Sequence, residues 1–210
     1  MSGVGGAGQL HPVFGGGSVI FADNFNRPNN AGIGASWSSI SNNGSGGSLS
    51  ILSNQMRTNG MTFGFNALVD SSLLAGLSAD QYVSWQAVNS PASQLVGGLL
   101  RAVDLSNCYL ALYDGGSGNI QFHKRVAGTY TQIGTNGAMG TISAGQYYKF
   151  TAVGNVLSFY LLVAGVWTLK HSVTDGGSTY TLPGRTGLWG YTTLGGSTDN
   201  FYDDFETGNV

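Results

Sequence analysis

A chain of 210 residues with 35 glycines, 9% charged residues and a formal net charge of -2 excludes several classes of protein at once. Glycine stands far above its usual ~7% and charge far below its usual ~25%, yet hydrophobic residues reach 41%, so the chain has the apolar material to fold. The glycines keep no three-residue period, which excludes collagen, and the few basic residues are scattered, so no nucleic-acid partner is expected. Nine of the ten acidic residues are Asp, Glu206 being the exception, and Lys occurs three times. Glu and Lys favour exposed helix faces, so their scarcity argues against helices. Cys108 is the single cysteine, which excludes an intramolecular disulfide and a Cys-based zinc site; its strand context predicts a buried thiol. No run of 18 apolar residues exists, so no membrane span is expected. The opening residues carry neither a basic nor an apolar leader region, so no secretory leader is expected.

In chain order, residues 1–17 read as a Gly-rich arm, flexible on its own, with Leu10, Pro12, Val13 and Phe14 as apolar anchors. The arm is expected to dock onto a neighbouring subunit; packing on its own domain is the alternative. Residues 18–210 then read as one domain. Strand signals recur at 19–25, 48–53, 62–69, 82–88 and 95–103. Val83, Trp85 and Ala87 share one strand face, and Gly97-Gly98 suggests a bend or bulge. Residues 109–113 and 120–124 flank an open hairpin loop. Gly154-Asn155 joins 147–153 to 156–163 with the signature of a type II′ turn. Ala164-Gly165 leads into 166–173, and 186–191 and 199–205 complete the set. The one helical candidate is Ser71 to Ala79. The first and last strands, around Phe21-Ala22-Asp23-Asn24-Phe25 and Asp203-Asp204-Phe205-Glu206, are both aromatic/acidic alternations. Ends of like character predict two neighbouring strands that close an all-β, two-sheet antiparallel sandwich.

The chemistry-bearing residues point away from catalysis. Glycoside hydrolysis normally takes two carboxylates across the bond; here the one Glu sits near the end, and adjacent Asp203 and Asp204 on a regular strand point to opposite faces. No G-x-S-x-G occurs, and His123 and His171 read as exposed structural residues of strands. Gly3-Val-Gly-Gly-Ala-Gly8 matches a dinucleotide fingerprint in letters only, with no strand before it and no helix after. Carbohydrate binding takes exposed aromatic faces with polar groups beside them. Among the aromatics, Trp85 and Trp189 read as core, whereas Trp167, Tyr130 and Tyr180 are the candidates for a sugar site.

Phe25-Asn26-Arg27-Pro28 followed by Ile33-Gly34-Ala35-Ser36-Trp37 resembles the D-x-F-x-R…L-G-x-x-W opening of concanavalin A-like jelly rolls found in virion proteins of actinobacterial phages, often minor tail proteins. Ser53-Asn54-Gln55-Met56, Gly98-Leu-Leu-Arg101 and Gly187-Leu188 fit the same plan, so the resemblance covers about residues 19 to 207. It departs at Asp23-Asn24-Phe25, where Asp-Asp-Phe is frequent. The resemblance implies a jelly-roll sandwich of the lectin/glucanase or laminin-G kind. It also implies a non-enzymatic virion protein, either a minor tail protein or a capsid decoration protein, on the particle exterior. Its expected partners are other virion proteins and host-surface carbohydrate, and it would be oligomeric in the assembly. The alternative is a carbohydrate-binding module of a secreted bacterial protein. No catalytic cofactor is expected. The resemblance allows a structural calcium at Asp23, Asp199 and Asp203, set against the simpler reading that these residues cap turns.

Overall fold

The structure, a computed structural model, describes residues 17–42, 48–59, 64–88, 94–141, 143–192 and 201–210. The arm residues Leu10, Pro12, Val13 and Phe14, and Asp199, lie outside them. Among the described residues fifteen strands form two antiparallel sheets. The first holds β1 (Val19–Asp23), β3 (Ser48–Leu52), β4 (Gln55–Asn59), β6 (Gln81–Ala87), β11 (Gln146–Val153), β12 (Val156–Val163), β13 (Val166–Thr174) and β15 (Phe201–Asn209). Its order is β13-β12-β11-β6-β15-β4-β3, with β1 also paired to β15. The second holds β2 (Trp37–Asn42), β5 (Gly64–Val69), β7 (Gln94–Asp104), β8 (Asn107–Asp114), β9 (Asn119–Val126), β10 (Thr129–Ala138) and β14 (Arg185–Thr192), ordered β10-β9-β8-β7-β14-β5-β2. The helical candidate shrinks to one 3-10 turn, Ser71–Leu73, capped by the Asp70 carboxylate on the Ser72 amide.

The two ends of the domain pair as their composition predicts: Asp23 faces Phe205 and Ala22 faces Glu206. The D-x-F-x-R…W opening is what locks this seam. Asp23 Oδ1 accepts from the Phe25 amide (2.9 Å) and Arg27 Nη1 (2.7 Å), and its Oδ2 accepts from Arg27 Nη2 (3.1 Å) and Trp37 Nε1 (2.8 Å). Arg27 also donates to the Ile33 carbonyl. Above this network Phe25 stacks on Trp37 at 5.7 Å, and Trp37 meets Phe205 edge-on at 4.9 Å. The motif therefore builds the fold: a buried carboxylate satisfies a buried indole and fixes the aromatic plug between the sheets.

The core lies between the sheets. Val83, Trp85 and Ala87 all point into it, as their alternation predicts, and Trp85 stacks on Tyr148 at 5.7 Å. Each fully buried Val, Leu, Ile, Phe or Met side chain of this core contributes about 1.5–3 kcal/mol by leaving water. Gly97-Gly98 is a correction: β7 pairs with β8 in unbroken register from Leu95 to Leu100, and the irregularity falls between Leu100 and Asp104. The glycine at 98 serves close packing, since a Cβ there would stand 2.6 Å from Val83 Cγ2 and 2.8 Å from Trp85 Cζ3. Trp189 is buried, but not in the inter-sheet core; it joins Leu68, Leu99, Cys108, Leu110 and Leu112 in a second cluster of the second sheet. Burial there pushes the Cys108 thiol up to about 12. Arg101, at 1% exposure, staples loops to the sandwich by donating to the carbonyls of Ala79 (2.7 Å), Gly154 (2.6 Å) and Tyr180 (2.7 Å).

Candidate functional site

The register across β15, β6 and β11 fixes what the outward face of the first sheet displays. Trp85 and its partner Tyr148 point inward, so the neighbouring cross-strand row Asp203–Gln86–Tyr147 points outward. A polar cleft of about 410 Å³ opens there, lined by Asn24, Asn26, Asn54, Gln86, Tyr147, Asp203 and Asp204. The regular-strand reading of Asp203 and Asp204 fails at this point. Asp203 faces Gln86 while Glu206 faces Ser84, so β15 carries one extra residue, and Asp204 takes φ +50. The bulge turns both carboxylates into the same cleft. Tyr147 donates its hydroxyl to Asp204 Oδ2 at 2.6 Å, and Gln86 Nε2 donates to the Gly145 carbonyl at 3.0 Å. Burial first, and the Asp204 carboxylate second, raise the Tyr147 pKa, so its hydroxyl stays protonated and able to donate.

Two residues further along β11, roughly 7 Å on the same face, the cleft gives way to an aromatic trough of about 430 Å³. Lys149, Thr151, Tyr160, Val166 and Trp167 line it. The Ala164-Gly165 turn, with φ +49 and +80, folds β13 back so that Trp167 lies opposite Leu162. A bulge at Lys170 shifts the register of β13 against β12, which sets Leu169 outward opposite Tyr160; Tyr160 itself faces out by regular alternation with the core residue Phe159 on β12. The Lys149 ammonium sits 4.8 Å from the centroid of Trp167, 5.1 Å from Tyr160 and 6.0 Å from Tyr82. Tyr82 donates its hydroxyl to Glu206 Oε1 at 2.5 Å. One sheet face thus combines flat aromatic surface with amides, carboxylates and an ammonium.

The sequence-derived candidates do not converge on one spot. Trp167 belongs to the trough. Tyr130 lies on the second sheet, beside a cavity of about 280 Å³ lined by Leu95, Leu110, Leu112, Trp189 and Tyr191 among others, with the Arg125 guanidinium 4.8 Å from its ring centroid. Tyr180 serves packing, its ring edge-on to Tyr109 at 5.1 Å and its hydroxyl donated to the Arg125 carbonyl at 2.5 Å. Of the calcium candidates, Asp23 has both oxygens occupied by N–H donors, and Asp203 lines the polar cleft and accepts from the Asp204 amide. Among the described residues no group of three or more His, Cys, Asp or Glu converges. His123 and His171 are half-buried rather than exposed, and His171 Nε2 lies 2.8 Å from the Thr135 carbonyl.

No protein-family model and no curated protein sequence matches the chain. Solved structures do. The chain is similar to the carbohydrate-binding module CBM66 from Bacillus subtilis, with 17% identity, 83% of this chain and 93% of that chain covered, and a TM-score of 0.58. In fold this chain is a lectin-like jelly roll. A Bacillus subtilis protein of unknown function with a galectin-like fold is similar at 14% identity, covering 94% of this chain and 98% of that one, with a TM-score of 0.65. The CBM2 module of the evolved Dit of Lactobacillus casei BL23 phage J-1 is similar at 13% identity, covering 91% and 96%, with a TM-score of 0.57. At these identities the likeness establishes the architecture and leaves function to the site. Among the described residues no helix is long and apolar enough to cross a membrane.

Proposed function

We propose that this chain is a non-enzymatic glycan-binding module, and that the outward face of the first sheet is its sugar site. The observation that carries the reading is that the Trp167–Tyr160 trough and the Asn/Gln/Asp cleft stand on the same sheet face. A sugar ring presents C–H groups on its faces and hydroxyls on its rim. Aromatic faces match the first and amide and carboxylate groups match the second. The two carboxylates in the cleft, Asp203 and Asp204, are neighbours in sequence and come from one wall, whereas hydrolysis takes carboxylates on both sides of the bond. The fold similarity to a carbohydrate-binding module supports the same reading.

The finer proposal places the module on a bacteriophage virion, as a minor tail protein or capsid decoration protein held by residues 1–17 to other virion proteins. The similarity to a module of a phage Dit supports this, together with the resemblance of the Asp23-to-Trp37 opening to phage virion proteins. The similarity to CBM66 supports equally a binding module of a secreted bacterial protein. A polysaccharide panel read by affinity electrophoresis tests the site: Trp167→Ala is expected to abolish retention with little change in Tm, and unchanged retention overturns it. Incorporation into particles tests the placement. Deleting residues 1–17 is expected to leave a folded domain that no longer joins virions, and normal incorporation overturns the docking role.

A further inference from the structure

The strongest unexplained feature of the outward face is Lys149. Its side chain is half-buried on β11, and its ammonium is ringed by Trp167, Tyr160 and Tyr82. An ammonium carries three N–H donors, and ring faces attract the charge without taking those donors as a carboxylate would. Among the described residues the ammonium has no hydrogen-bond acceptor and no ion-pair partner. The nearby Glu206 carboxylate takes the Tyr82 hydroxyl and acts on Lys149 through space only. Burial lowers the Lys149 pKa, a sign of hydration already given up. The floor of an aromatic trough thus presents a positive charge whose donors are unspent on protein.

We infer that the saccharide bound by this face carries an anionic group, a carboxylate or a phosphate, and that Lys149 pairs with it; this rests on the glycan-binding reading of the same face. A charge-assisted hydrogen bond is roughly twice as strong as a neutral one, and partial removal from water strengthens it further. Orientation follows from the opposite end of the face. Asp203 and Asp204 repel an anion there and accept hydroxyls instead, so the charged group is directed to Lys149 and the hydroxyl-rich part to the polar cleft. Trp167 and Tyr160 then supply flat surface beside the anion.

The test compares acidic polysaccharides with their neutral counterparts. Polygalacturonate is set against its methyl ester, and a phosphomannan against the same mannan after dephosphorylation, with dissociation constants measured on the full chain at low and high salt. At least one acidic polymer is expected to bind roughly ten-fold or more tightly than its neutral counterpart, and to lose that advantage at high salt. Which acid wins identifies carboxylate or phosphate. Lys149→Gln is expected to erase the preference and Lys149→Arg to keep most of it, each with a Tm near that of the parent. Equal binding of acidic and neutral polymers overturns the inference on the parent protein alone, as does an acidic preference that survives in Lys149→Gln. If Trp167→Ala still abolishes binding in those cases, the glycan-binding reading stands while the anionic one falls. No binding to any of these polymers overturns the anionic inference; no binding across the wider panel overturns both.

Discussion

Asp23 separates a hydrogen-bond hub from a metal ligand, and replacing it by Asn measures the difference. The substitution keeps one carbonyl oxygen, which can still accept from the Phe25 amide and Arg27 Nη1 at 2.9 and 2.7 Å. It sets an NH2 group against two donors, Trp37 Nε1 at 2.8 Å and Arg27 Nη2 at 3.1 Å. Trp37 is buried, so its stranded indole N–H costs about 1–3 kcal/mol. The Arg27 side chain is 34% exposed, so water replaces much of its lost partner and its share is nearer 1 kcal/mol. The sum is about 2–4 kcal/mol. For a domain of this size each kcal/mol moves Tm by about 2–4 °C, which gives a fall of roughly 5–15 °C. Differential scanning calorimetry with and without calcium or a chelator reads both possibilities. A fall of less than about 2 °C would refute the hub. So would a parent Tm that rises with calcium while that of Asp23→Asn does not, since that pattern belongs to a ligand of the ion.

Other perturbations test separate parts of the molecule. Asp175 accepts from Tyr109 Oη (2.7 Å), the Thr179 amide (2.9 Å) and Lys124 Nζ (3.1 Å). Burial works to raise its pKa, but hydrogen bonds led by the Thr179 amide and Tyr109 outweigh it and hold the carboxyl well below the usual range. Because the folded pKa is depressed, this stabilisation is present above the unfolded value of about 3.9 and is lost as pH falls toward the folded one. Asp175→Asn should therefore flatten the acid-side loss of Tm, and an unchanged acid profile would count against the assignment. Gly98→Ala should cost about 1–3 kcal/mol by forcing Val83 and Trp85 aside; a Tm equal to the parent's would show that the core has slack there. Tyr147→Phe removes the hydroxyl bound to Asp204 and should weaken glycan retention with a stability loss of about 1 kcal/mol or less, whereas unaltered retention would take the polar cleft out of the site. Reducing-end assays on the same panel should detect no hydrolysis by the parent; release of sugar that disappears in Glu206→Gln would make the chain an enzyme.

How much of this was legible in the sequence follows from where strand periodicity holds and where it breaks. The pairing of the two ends, the inward face of β6 and the Gly154-Asn155 hairpin were all readable. In each, one local rule decides the outcome: like composition, a period of two, or a turn residue with positive φ, which Gly154 takes at +54. β10 was not readable, because its Thr/Gln/Asn-rich sequence shows little apolar alternation and it pairs along one side only. Trp189 looked like core because burial and apolar alternation are the same on either face of a sheet, and only the partner layer tells them apart. The site was partly hidden for two physical reasons. Tyr147, Lys149 and Thr151 alternate with Tyr148, Phe150 and Ala152, which reveals that one set faces out but not what stands beside it on β6 and β12. The carboxylates depend on a bulge in β15 and Leu169 on one in β13, single extra residues that reverse the facing of everything after them. A period-two reading must fail at such residues. Trp167 escaped this because it follows a turn that is itself visible, whereas Asp204 needed its φ of +50 before it could be placed beside Asp203. Binding groups that sit on irregular backbone are thus the least predictable part of a strand-built surface, and here the two bulges stand on either side of Lys149.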